Sequence, residues 1–121
     1  MSEDKAKRLA ALNDFFRLNF LTLSFGSYPV HGRIVCTRGI SVLPQETQTR
    51  IWAAVSNFSD FTEDDIHGEH DFGAFRIEGA PEKIFWKIDY YADESCTSGF
   101  EDASDTARCF RVLTIMLASE Y

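Results

Sequence analysis

The 121-residue sequence predicts an α+β fold: a small antiparallel sheet, built from one strand and a β-hairpin, packed by two or three helices in the order α-β-α-β-β-α. Three observations point there. Apolar residues recur at helical spacing near the start of the chain and again around residue 50, and they alternate at strand spacing between residues 72 and 91. Eleven Phe, four Tyr and two Trp, within a 45% apolar composition, supply bulky material for one core and argue against a disordered chain. The length suits a single domain, residues 1–121, and is too short for two.

Residues 2–23 carry Leu9, Leu12, Phe16 and Phe20 three or four apart, extended by Ala6 and Leu23. Lys5, Arg8, Asn13 and Arg17 fall mainly elsewhere, so the segment predicts an amphipathic helix with Ser2 as N-cap and Glu3 and Asp4 in its first turn. Gly26, Ser27, Tyr28 and Pro29 break it. Residues 30–40 predict a strand, because Ile34, Val35, Cys36 and Thr37 favour β-structure between Gly32 and Gly39. Pro44 opens a second helix, whose stripe is Ile51, Val55 and Phe58 with Trp52 beside it, and which ends near Asn57 or Ser59.

Residues 60–71 are acidic and aperiodic, hence a loop. Residues 72–78 and 84–91 predict a hairpin around a five-residue turn at 79–83. The expected register sets Arg76 and Glu78 against Lys87 and Asp89 on a polar face. Phe75, Ile77, Trp86 and Ile88 then form the core face. Residues 92–105 predict a second acidic loop. Residues 106–119 predict a third helix capped by Asp105 or Thr106, because the apolar run exceeds ordinary strand length and ends in Leu117-Ala118, with a buried strand as the alternative that its β-branched residues permit.

Charge is divided along the chain. Residues 1–59 hold seven Lys/Arg and four acids, a net of +3; residues 60–121 hold five and fifteen, a net of −10. Six acids fall in residues 60–71 and six in 89–105, with no Lys or Arg in either stretch. Such a field repels nucleic acid and attracts basic surfaces. No apolar run approaches ~18 residues, so no membrane span is expected. The charged start Met1-Ser2-Glu3-Asp4-Lys5 predicts no secretory signal. Three scattered cysteines without a C-x-x-C pair predict reduced thiols in the cytoplasm.

The densest chemistry-bearing cluster is His67-Gly68-Glu69-His70-Asp71. Its side chains suit zinc or manganese, with Glu or Asp as a general base, which gives a metal-dependent hydrolase or nuclease as the alternative reading. The spacing argues against it: His70 and Asp71 are adjacent and no H-E-x-x-H helix is present. Cys36 and Cys109 fall in apolar elements and only Cys96 lies in a loop, a poor basis for a nucleophile. No Gly-rich phosphate loop or G-x-S-x-G is found. No catalytic residues, cofactor or metal are therefore expected.

The stretches Leu12-Asn13-Asp14-x-Phe16-Arg17, Gly68-Glu69-His70-Asp71-Phe72-Gly73-x-Phe75, Phe85-Trp86-Lys87-Ile88-Asp89-Tyr90-Tyr91 and Arg111 to Tyr121 resemble a small bacterial domain family of unknown function associated with alphaproteobacterial plasmids and mobile elements. The resemblance brings no activity. It implies a setting in which small proteins counter host defences. The expectation is a non-enzymatic, acidic interaction protein, an anti-CRISPR or anti-restriction inhibitor. It would bind a basic, nucleic-acid-binding protein through Asp60, Glu63, Asp64, Asp65, Glu69, Asp93, Glu94, Glu101 and Asp102, by mimicry of DNA or RNA.

Overall fold

A computed structural model describes residues 2–19, 31–61, 68–93, 95–96, 98–100 and 109–121. The first helix, α1 (Ser2–Asn19), buries Leu9 and Phe16 of the expected stripe together with Ala10 outside it, and leaves Leu12 half-buried. Phe20, Leu23 and the break at 26–29 lie outside the described residues. Strand β1 (His31–Cys36) is shorter than expected. Thr37 leaves the strand, and a turn of helix, α2 (Arg38–Ser41), follows and sets Ile40 into the core. Helix α3 (Gln45–Ser56) starts directly after Pro44 and buries Thr47, Ile51 and Val55, one residue per turn on one face.

Strands β2 (Phe72–Phe75) and β3 (Ile84–Tyr91) form the hairpin. Its register differs from the expected one. Phe72 pairs with Lys87 and Phe75 with Ile84, so Arg76 and Glu78 lie beyond the ladder and face neither Lys87 nor Asp89. The longer connection shortens β2, and Lys87 pairs along its own strand with Asp89 at 3.1 Å instead. The assignment of faces on β3 holds: Trp86 and Ile88 are buried, while Lys87 and Asp89 alternate with them on the other side.

The expected C-terminal helix is a strand, β4 (Phe110–Leu117), followed by a 3-10 turn at Ala118–Glu120. The sheet order is β1-β4-β3-β2, with β4 antiparallel to β3 and parallel to β1. The sheet is therefore mixed rather than antiparallel throughout. Strand β4 buries Val112 and Met116 on one face as well as Leu113, Ile115 and Leu117 on the other, so it lacks the polar alternation of a half-exposed strand, and its β-branched Val112, Thr114 and Ile115 suit a strand better than a helix.

The helices lie on one face. Phe16 of α1, Ile40 of α2 and Ile51 and Val55 of α3 meet Ile84, Trp86, Ile88, Leu113, Ile115 and Leu117 of the sheet in one core cluster. At Gly73 a Cβ would come within 2.3 Å of the Trp86 indole nitrogen, so the glycine leaves room for the largest core side chain. A smaller cluster joins Leu9 to Cys109, with Tyr90 and Phe100 against it.

Candidate functional site

Strand direction decides where the acidic segments emerge. Phe72 opens β2 opposite Lys87, Tyr91 closes β3, and Phe110 opens β4 opposite Tyr91. The described ends of both acidic segments thus lie at one end of the sheet. Asp71 extends the hairpin there, its carbonyl accepting the Ile88 N–H at 2.8 Å. The second segment folds back on β3 through the Tyr91–Gly99 bridge and the Ala92 N–H to Ser98 carbonyl bond.

The sequence-derived candidates sit as follows. Asp60 is exposed just after α3, and Asp93 is exposed with its carboxylate accepting the Ser95 N–H and hydroxyl. Those bonds hold the Asp93 carboxyl below its usual range. Glu69 is half-buried. Glu63, Asp64, Asp65, Glu94, Glu101, Asp102 and His67 lie outside the described residues. Gly68 and His70 both adopt left-handed backbone, φ 68° and 56°, which turns the chain toward α1.

Beneath this end lies a polar network that amphipathic periodicity does not reveal. Asn13 and Arg17, expected on the outer side of α1, are 0% and 2% exposed. Asn13 Nδ2 donates to the Glu69 carbonyl and to the Tyr90 hydroxyl, both at 2.9 Å, and its Oδ1 accepts from Arg111 Nε at 2.7 Å. Arg111 is fully buried, its guanidinium over the Tyr90 ring. One turn along α1, Arg17 donates to the carbonyls of Val55 (2.7 Å) and Phe58 (3.1 Å) and to Asp14 (2.8 Å), with its guanidinium over Trp86 and Phe61. Asp14 also meets His70 Nδ1 at 2.9 Å, and the His70 ring stacks on Phe61 at 3.7 Å.

Burial pulls both guanidiniums down from their ordinary value, in Arg17 against the opposing pull of Asp14, yet arginine stays protonated. Burial pushes the Tyr90 phenol up, and the Cys36 thiol likewise, which leaves Cys36 a poor nucleophile. A carboxylate only accepts, so His70 Nδ1 carries its proton toward Asp14. That nitrogen is committed to a fold contact, and among the described residues no three metal-ligating side chains come together. The arrangement fastens the base of the first acidic segment to α1.

The sequence did carry a signal for the network. Asn13 and Arg17 stand four apart and in line with Leu9, and Arg111 interrupts an apolar run, the pattern of polar groups paired inside a core.

A family profile matches residues 36–120, from the last residue of β1 to the 3-10 turn. The chain belongs to the DUF3768 family, described as a protein of unknown function. No curated protein and no solved structure matches it. In this DUF3768 member the matched stretch supplies His70, Trp86, Tyr90 and Arg111, whereas Asn13, Asp14 and Arg17 come from α1, outside it. No helix among the described residues is long and apolar enough to cross a membrane.

Proposed function

We propose that this protein is a small acidic interaction protein, working in the cytoplasm as a mobile-element inhibitor of the anti-CRISPR or anti-restriction kind. Its acidic end occupies the basic, nucleic-acid-binding surface of a host defence protein and excludes nucleic acid from it. The observation that supports this reading is topological: two segments without Lys or Arg, residues 60–71 with six acids and residues 92–105 with five, join the sheet at the same end. One exposed ion pair contributes only ~0–1 kcal/mol, so a single loop acid holds no partner, whereas several carboxylates on one side act together.

The test uses the tagged protein to capture its partner from host lysate across a salt series. Reversal of Asp64, Asp65, Glu101 and Asp102 to Lys is expected to abolish capture, and wild-type capture is expected to fade as salt screens charges beyond ~8 Å. The matched control reverses Lys5, Lys7 and Arg8. Arg17 is left alone because it is buried. Capture that survives the acidic reversal and disappears in the control would move the binding face to α1 and refute the mimicry.

A further inference from the structure

The helices cover one face of the sheet; along the other runs a groove of about 400 Å³. Val112 and Met116 of β4 line it, and both are buried despite facing away from the helices. Tyr91 stands at one end and Tyr121 at the other. Between them β3 presents Lys87 and Asp89, with Thr114 directly across from Lys87.

The charge of the lining selects the occupant. Lys87 Nζ and Asp89 Oδ2 offset one another at 3.1 Å, and the Asp89 side chain is 39% exposed. Glu120 adds a second carboxylate, held ionised by the Thr37 hydroxyl and the Leu117 and Gly39 N–H groups. The lining is thus net negative on a chain of net charge −7, so an anion is repelled. An apolar floor flanked by phenol rings, with a carboxylate oxygen alongside, matches a side chain with an apolar stem and a cationic head. The volume exceeds one side chain and suits a short extended segment. At Tyr91 the groove meets the strand end from which the second acidic segment departs, so one partner can span both.

We propose that this groove receives an arginine or lysine side chain on an extended segment of the basic partner, its stem on Val112 and Met116 and its cation at Asp89 beside Tyr91. The proposal rests on the reading that the partner is basic.

The experiment is a ¹H–¹⁵N NMR titration of the full chain with Ac-Ala-Arg-Ala-amide, its citrulline counterpart and argininamide. Saturable shifts at Lys87, Asp89 and Thr114 are expected with the arginine peptide, with little response to the neutral citrulline peptide. Asp89→Asn is expected to weaken the arginine peptide at least about fivefold. Lys87→Met is expected to tighten it about two- to fivefold, because Asp89 is no longer shared. A purely structural pair would not give that gain. Absence of shifts at millimolar peptide, equal binding of citrulline, or indifference to Asp89→Asn would overturn the proposal. Argininamide binding as tightly as the peptide would reassign the groove to small amines, and shifts that follow protein concentration alone would reassign it to a second copy; either overturns it. The groove and the acidic end fail separately: the acidic reversal abolishing partner capture while the peptide titration is blank refutes the groove alone, and the opposite pattern refutes the acidic end alone.

Discussion

Arg17 and Arg111 carry two positive charges into an interior closed to water, and for Arg17 two backbone carbonyls and one carboxylate receive it. The partners differ in what their loss leaves behind. Arg17→Met keeps the stem but takes the guanidinium donor from the Phe58 carbonyl, leaves the Val55 carbonyl with the Phe58 N–H, and removes the cation from the Trp86 face, so a loss of about 2–4 kcal/mol is expected. Asp14 is 36% exposed, and without its charge Arg17 still has both carbonyls, so Asp14→Asn is expected to cost about 1 kcal/mol. Urea denaturation of the two variants checks the order. Equal losses would mean that the carboxylate, not the carbonyl pair, fixes the guanidinium.

At the scale of elements, the 3-10 turn is fastened to the β1–α2 junction by one side chain. Glu120 accepts from the Thr37 hydroxyl, the Gly39 N–H and the Leu117 N–H, and these bonds, that of Thr37 foremost, hold its carboxyl below the usual value. A lowered folded-state value means that the stabilisation is fully present above the ordinary carboxyl value of about 4.3 and is lost as pH falls through the lowered one. The melting-temperature gap between wild type and Glu120→Gln is therefore expected at neutral pH and should close below about pH 4. A gap that persists in acid would show that the bonds do not depend on ionisation. In the hairpin, Gly73→Ala forces a methyl against the Trp86 ring, and an expected loss of about 1–3 kcal/mol is read by thermal melting. A wild-type melt would place the ring elsewhere. The helices and the β3 faces were legible because each shows its period against water. Strand β4 was not: it buries residues of both its faces, which erases the polar alternation, and its parallel pairing with β1 joins residues 31–36 to 110–115, a separation that no local pattern encodes. The register of β2 was hidden for a related reason, since Arg76 and Glu78 offered plausible cross-strand partners and the turn length alone decided against them. Of the candidate site, the acidity was legible, whereas the arrival of the described ends of both segments at one end of the sheet was not, because that follows from strand direction.

For the molecule as a whole, the proposed binding depends on a field of charges and not on one contact. Single reversals at Asp60 or Asp93, both exposed, are expected to change partner capture less than about fivefold each, while the four-residue reversal abolishes it. A single reversal that alone abolished capture would indicate one specific contact instead of a field. The position of β4 has a further consequence, for the growing chain. It comes last of the four strands in sequence but lies between the first and the third. While the chain is being made, β1 and the β2–β3 hairpin have no shared partner until residues 110–117 emerge, and the apolar faces of α1 and α3 have no completed surface to cover. The sheet therefore cannot be completed before its last strand is in place. The placement of this one strand joins β1 to the hairpin, completes the core face and brings Arg111 to Asn13 and Tyr90.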